Sequence, residues 1–312
     1  MPTYRWRAEF VLPGLQLVHE LTIGTIHVVP SPRDDLGHSK STGHLTFETD
    51  HYLRGLEATT YALSLLTPLA LSGAALGGSV GAPTLTSILL ANQIELEASG
   101  VRVPLTSGLL MSFSVLSPDV PATSLVAGYH TARALPPEAI ERLCRAAKWL
   151  WKANSDPDGH DQFLALWIAF NVLYGKPHRR EQRAIEEFIA EAFPTDLEAK
   201  AVLDSVDPPI LEKLANSSLT LRRKRAEYRV ADELQRVLSE PSRTHPHNGI
   251  LRLACLVIYA VRCDIVHAGG SAVPHGALQL IWASRDVLKG LLMRHLQSRL
   301  GLQSDALGTS TQ

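Results

Sequence analysis

The stretch Leu253-Ala254-Cys255-Leu256-Val257-Ile258-Tyr259-Ala260-Val261-Arg262-Cys263-Asp264-Ile265-Val266-His267-Ala268-Gly269-Gly270 decides how the C-terminal half of this chain is read. From Leu253 to Val261 the Tyr259 hydroxyl is the one polar exception, so the segment predicts a helix buried on most sides. Its last turn brings Arg262, Asp264 and His267 before Gly269 and Gly270 stop it. Charges at the end of a buried helix are costly unless paired. Either an ion network that holds the fold or a reactive site must offset them.

Positions 251, 255, 258, 262 and 265 fall on one helical stripe, so Arg262 stands where the pattern asks for an apolar residue. Arg262 and His267 are five apart, which at about 100° per residue separates them by roughly 140°. Helix-surface partners sit three or four apart, so the two side chains face a common space from the last turn or meet a second copy across an interface. A helix C-terminus favours protonated His267.

The pattern is helical outward from this stretch as far back as Pro137. It predicts helices over 138–153, 160–175, 179–192, 196–204, 208–215, 219–239, 249–268 and 275–300, broken by DPDG at 156–159 and by prolines 177, 194, 208, 209, 241 and 246. Residues 1–130 differ. Tyr4–Leu12 and Gln16–Val29, the latter split near Gly24, are rich in β-formers and predict paired strands. Ser31–Gly43 reads as a polar loop, Asp50 as the cap of a helix to about Leu71, and Ser87–Glu97, Val101–Val103 and Leu109–Leu116 as further strands. Ser117–Pro121 and Pro136-Pro137 bracket a linker. The fold class expected is therefore α+β in two domains: a mixed α/β domain with antiparallel strands over 1–130, an all-α bundle over 136–301, and a polar tail over 302–312.

The chain has 312 residues, 45% of them hydrophobic, and a net charge of −1, which excludes a global attraction for nucleic acid. Residues 1–130 hold 6 Lys+Arg against 10 Asp+Glu, while residues 131–312 hold 24 against 21, so the small basic excess lies in the helical half. Three cysteines, Cys144, Cys255 and Cys263, do not make a disulfide framework. No signal peptide opens the chain, and cytoplasm is the expected location. Ala58–Ile94 is uncharged, but Pro68, Gly73, Gly77, Gly78, Gly81 and Pro83 interrupt it, so a buried helix and a glycine loop are expected and no membrane span.

Arg262-x4-His267, ending an apolar helix and passing into small residues, resembles the signature of the HEPN superfamily. Upstream, Phe163-Leu164-Ala165-Leu166-Trp167-Ile168-Ala169-Phe170-Asn171-Val172-Leu173-Tyr174-Gly175 resembles the first-helix pattern of HEPN domains in the Apea-like, defence-associated branch. The resemblance implies an HEPN-like helical bundle that forms a homodimer and brings two Arg-x4-His motifs into one cleft. It implies a metal-independent endoribonuclease without cofactor, in an antiviral defence or toxin role, with RNA as partner. His267 would then move protons between the ribose 2′-hydroxyl and the leaving 5′-oxygen. Arg262 would hold the phosphate and its growing charge. Asp264 would orient Arg262 or assist it, and Asn171 would lie near the cleft. One departure is Cys263, where the family commonly has a polar residue; a thiol is a poor hydrogen-bond partner.

Two basic runs are the expected RNA contacts: Arg179, Arg180 and Arg183, and Arg222, Arg223, Lys224 and Arg225, the second on a helix face. A solvated helix face is the plainer reading of both. His245-Pro246-His247 lacks a carboxylate or cysteine at ligand spacing and reads as a loop. The histidines at 19, 27, 38, 44 and 51 show no metal pattern, and no metal site is expected. The alternative function is a catalytically silent HEPN-like dimer that binds RNA or protein, with Arg262 and Asp264 as a structural pair. A trigger or regulator would bind the N-terminal domain.

Overall fold

The computed structural model describes residues 3–33, 39–77, 83–90, 119–175, 181–223, 226–240, 245–267 and 275–302; the side chains of 222, 223, 226, 227, 267 and 275–277 stand outside that description. Contacts divide the chain into two compact units, Met1–Ser155 with Gln297–Gln312, and Asp156–Leu296. This division falls later than the composition change at 130–136.

The first unit is built on a five-stranded antiparallel sheet of order β2-β3-β4-β1-β5. Its strands are β1 (Tyr4–Pro13), β2 (Leu21–Ile23), β3 (Ile26–Pro30), β4 (Lys40–Thr49) and β5 (Thr84–Leu90). Strict alternation makes β1 a core strand: Trp6, Ala8, Phe10 and Leu12 are buried while Arg5, Arg7 and Glu9 turn outward. Trp6 stacks on Phe47 across the β1–β4 pair, with ring centroids 6.1 Å apart. Burying each such side chain stabilises the sheet by about 1.5–3 kcal/mol. β4 begins at Lys40, inside the stretch expected to be a loop, because Ser41 and Leu45 find buried positions opposite β1. The expected strands at 101–103 and 109–116 lie outside the described residues.

Among the described residues three helices join the sheet in this unit: α1 (Gly55–Gly77), α2 (Ala122–Ala134) and α3 (Pro137–Ser155). Asp50 does not cap α1. Its carboxylate bonds the His51 imidazole at 2.5 Å, and Glu57 accepts from the Arg54 backbone N–H at 2.8 Å instead. Nor does α1 stop near Leu71, because small buried residues from Ser72 to Ala75 carry it on to Gly77. α2 replaces the expected linker. Gly128 on it lies so close to the Ser72 side chain that a Cβ there would collide, and the Ser72 hydroxyl donates to the Leu125 carbonyl at 3.0 Å. α1 is the one described helix long and apolar enough to cross a membrane, and 61% of its apolar window is buried inside the protein.

The second unit contains α4 (Gly159–Tyr174), α5 (Glu181–Ala192), α6 (Asp196–Asp204), α7 (Pro208–Ala215), β6 (Leu221–Arg223), β7 (Ala226–Tyr228), α8 (Val230–Ser239), α9 (His247–His267) and α10 (His275–Arg299), whose last residues join the first unit. α9 is its centre, packed by α5, α6, α7 and α8. Asp158 caps α4 by accepting from the His160 and Asp161 N–H groups, and a Thr195/Glu198 capping box starts α6. The all-α expectation is corrected here. Leu221–Arg223 pairs antiparallel with Ala226–Tyr228, and the helix begins only at Val230. A helix over 219–239 would place Arg222 over Arg225 and Arg225 over Arg229, repelling at three- and four-residue spacing. Extended backbone lets Leu221 bury and lets the Arg229 guanidinium donate to the Ser217 carbonyl at 3.1 Å.

Candidate functional site

α9 has a largely apolar body and a polar end. Leu251, Ala254, Cys255 and Ile258 are 0% exposed. One turn on, Arg262 and Cys263 are half-buried, and Asp264 and Val266 are exposed. The stripe 251, 255, 258 therefore carries Arg262 out of the core at the helix's last turn.

What meets it there comes from α4 and α5. Trp167 of α4 stacks on Tyr259 of α9 with centroids 6.0 Å apart and planes 29° apart. Trp167 and Phe170 in turn pack edge-on against Tyr174 at 6.3 and 4.9 Å. This aromatic wedge holds the C-terminal turn of α4 against the end of α9. The Tyr174 hydroxyl, at the last residue of α4, donates to Glu181 Oε1 at 2.7 Å, at the first residue of α5. Burial pushes the Tyr174 phenol well above its usual range, and the bond to Glu181 adds to the shift, while Arg262 opposes it. Tyr259 is raised for the same first reason, then by its hydrogen bond to Cys263, with Glu181 and Arg262 again acting on it. Both phenols thus share the fields of Glu181 and Arg262.

The decisive detail concerns the guanidinium. Glu181 is held by Tyr174, and Arg262 makes no ion pair with any carboxylate among the described residues. Asp264, expected to orient Arg262, is two residues along the helix, exposed, and forms no ion pair with it. Cys263 stands four residues after Tyr259 and helps to raise its phenol. His267 ends α9, and its side chain lies outside the described residues.

Asn171 lies three residues before Tyr174 and is exposed, not buried in the apolar helix as its neighbours suggest. Arg183 is exposed and paired with Glu187 one turn on, at 2.7 Å. Arg179, Arg180, Lys224 and Arg225 lie outside the described residues, as do the side chains of Arg222 and Arg223 on β6. Sequence reasoning did not single out Tyr174, Glu181 or Tyr259 as site residues. The Tyr259–Cys263 spacing of four is a signal available in the sequence; the Tyr174–Glu181 bond joins two separate helices, α4 and α5, and leaves none.

Two other polar clusters lie in the same unit. Asp158, His160 and Asp161 converge, but the Asp158 carboxylate is already used as the α4 cap. His247, read as a loop residue, is the first residue of α9, and Asp196, first residue of α6, binds both its backbone N–H and its ring, the latter at 2.6 Å. That bond holds the Asp196 carboxyl below its ordinary value and ties two helix starts together. No family model, curated protein or solved structure matches the chain.

Proposed function

We propose that the C-terminal half is a metal-independent endoribonuclease of HEPN type that works as a homodimer. The observation that carries this reading is a half-buried guanidinium at the end of a buried helix, backed by aromatic rings and left without a carboxylate partner among the described residues. Such a group is desolvated enough to attract an anion strongly and free enough to bind one. The two segments that resemble the family also meet: Trp167 and Tyr174 of the first pack at the end of α9 that bears the second. Exposed Ile168, Leu278 and Trp282 in the same unit offer apolar surface to a second copy.

In this mechanism the ribose 2′-oxygen attacks phosphorus while the bond from phosphorus to the 5′-oxygen breaks. An imidazole at position 267 takes the 2′-hydroxyl proton, and an imidazolium gives a proton to the leaving oxygen. Arg262 binds the nonbridging phosphate oxygens as their charge grows. The products are a 2′,3′-cyclic phosphate and a 5′-hydroxyl. The first unit restrains the nuclease until a trigger binds, a cytoplasmic defence or toxin arrangement argued by analogy.

The test is full-length protein incubated with mixed RNA and EDTA. Wild type is expected to cleave and leave cyclic phosphate ends, with Arg262→Ala and His267→Ala each slower by about 10²–10³-fold. Cleavage unchanged in both variants overturns the assignment. A second reading, a silent RNA- or protein-binding dimer, draws on the closeness of Glu181 and Arg262 to the same two phenols. It is favoured if wild type retains RNA on a filter without cleaving it.

A further inference from the structure

A row of polar residues crosses all five strands of the first unit's sheet. Thr22 of β2 is in register with His27 of β3, and His27 with His44 of β4. His44 is in register with Glu9 of β1, and Glu9 with Ser87 of β5. Their strand neighbours Ala8, Phe10, Ile26, Val28 and Leu45 are buried, so alternation turns His27, His44 and Glu9 to the opposite face, where each is half-buried.

The two imidazole centroids lie 5.1 Å apart, with planes at 46°. With metal–nitrogen bonds of about 2.0–2.1 Å and near-tetrahedral angles, two imidazoles on one ion have their centres about 5 Å apart. His27 Nδ1 is hydrogen-bonded to Thr22 Oγ1 at 3.0 Å, which leaves Nε2 for a ligand, the usual arrangement of a metal-binding histidine. Ser87 donates to Glu9 Oε2 at 3.0 Å and steadies that carboxylate beside the row.

The geometry points to a chelating site for one divalent transition-metal ion, zinc or nickel in class, held by the imidazole nitrogens of His27 and His44, with water completing the coordination. Imidazole pairs suit these ions and not magnesium or calcium. The charged groups around His44 are Arg7 and Glu9 from β1, with His27 on β3. Arg7 opposes a cation and Glu9 offsets it. Burial, Arg7 and His27 lower the His44 imidazole from its ordinary value, and Glu9 acts the other way. The site lies in the first unit and is independent of the ribonuclease reading, which uses no metal.

The experiment is calorimetric titration of EDTA-stripped, dialysed full-length protein with zinc chloride and separately with nickel chloride. Wild type is expected to show a saturable site that His27→Thr and His44→Thr each weaken by about tenfold or more. Threonine keeps the strand preference, and circular dichroism checks the fold. Glu9→Gln weakens binding less, through charge alone. Removing two other histidines that lie beside carboxylates, by His160→Ala and His247→Ala, leaves the site intact. In unmodified protein, zinc is expected to protect His27 and His44 from diethyl pyrocarbonate, read by peptide mass. No saturable binding in wild type, an unchanged isotherm in both His27→Thr and His44→Thr, or equal labelling with and without zinc each overturns the proposal.

Discussion

The end of α9 and the outer face of the sheet both gather titratable groups, but they do so in different dielectric surroundings. At the end of α9 the Trp167, Phe170 and Tyr174 rings crowd the polar groups, and burial is the first cause of the raised Tyr174 and Tyr259 phenols. Charges there are weakly screened, so each contact is expensive to leave unmade. Around His44 the side chains face outward and water and salt screen them. The contrast teaches that substitutions near α9 should act through burial and hydrogen bonding, and those on the sheet's outer face through geometry and small charge effects.

The largest effect is expected in the body of α9. Ile258→Ala should cost about 2–5 kcal/mol of unfolding free energy, because the side chain is fully buried and its cavity cannot fill with water. Arg262→Ala, one turn later, should cost less than about 1 kcal/mol if the guanidinium is held in reserve for a ligand. Urea midpoints of the two variants decide the matter. A loss at Arg262 as large as that at Ile258 would make the arginine a structural element and favour the silent binding module.

Next comes Gly43→Ala on β4. A Cβ there would press on the His27 carbonyl oxygen of β3, which is backbone and cannot swing away, and would sit 2.7 Å from Phe10 Cζ. The expected cost is about 1–3 kcal/mol, read as a lower melting temperature. A neutral result would mean that the β3–β4 pairing, and with it the His27–His44 spacing, is looser than the register implies.

How much of this was legible beforehand follows from the same contrast. A helix repeats within four residues, so the apolar body of α9, its arginine at a core position, and the bounds of α6 and α7 can be read directly from spacing. A sheet brings together residues whose separation depends on loops, and nothing in His27 or His44 alone announces that β3 and β4 set them side by side. The β6–β7 hairpin was illegible for another reason: tertiary burial of Leu221 overrode a composition that favours helix. α2 hid because Ala122–Ala134 has only a weak apolar stripe and is held by its packing on α1. At the candidate site, Arg262 stood out as a misfit, whereas the Tyr174–Glu181 bond could be found only in three dimensions.

Tyr174→Phe sharpens the comparison further. It removes a buried hydrogen bond to a carboxylate, an expected loss of about 1–2 kcal/mol in chemical unfolding. It also releases Glu181, which acts on the same two phenols as Arg262. If the arginine acts on phosphate, RNA cleavage should fall by more than the stability loss explains, since the freed carboxylate competes for the guanidinium. Full activity in a folded Tyr174→Phe protein would mean that Glu181 does not reach Arg262.

The smallest effect concerns pH on the sheet. Folding lowers the His44 value from 6.5, first through burial and then through Arg7 and His27, against Glu9. The unfolded chain therefore takes up more protons as pH falls, and the stabilising contribution, present above the unfolded value, is lost on descending through the folded one. Because the side chain is only half-buried, the loss should be slight and should shrink further in high salt. Urea midpoints taken from about pH 7.5 to about pH 5 should decline a little more steeply for wild type than for His44→Gln. Parallel declines would show that neither burial nor Arg7 weighs on this imidazole in solution, and would place the ring farther from Arg7 than the β1–β4 register holds it.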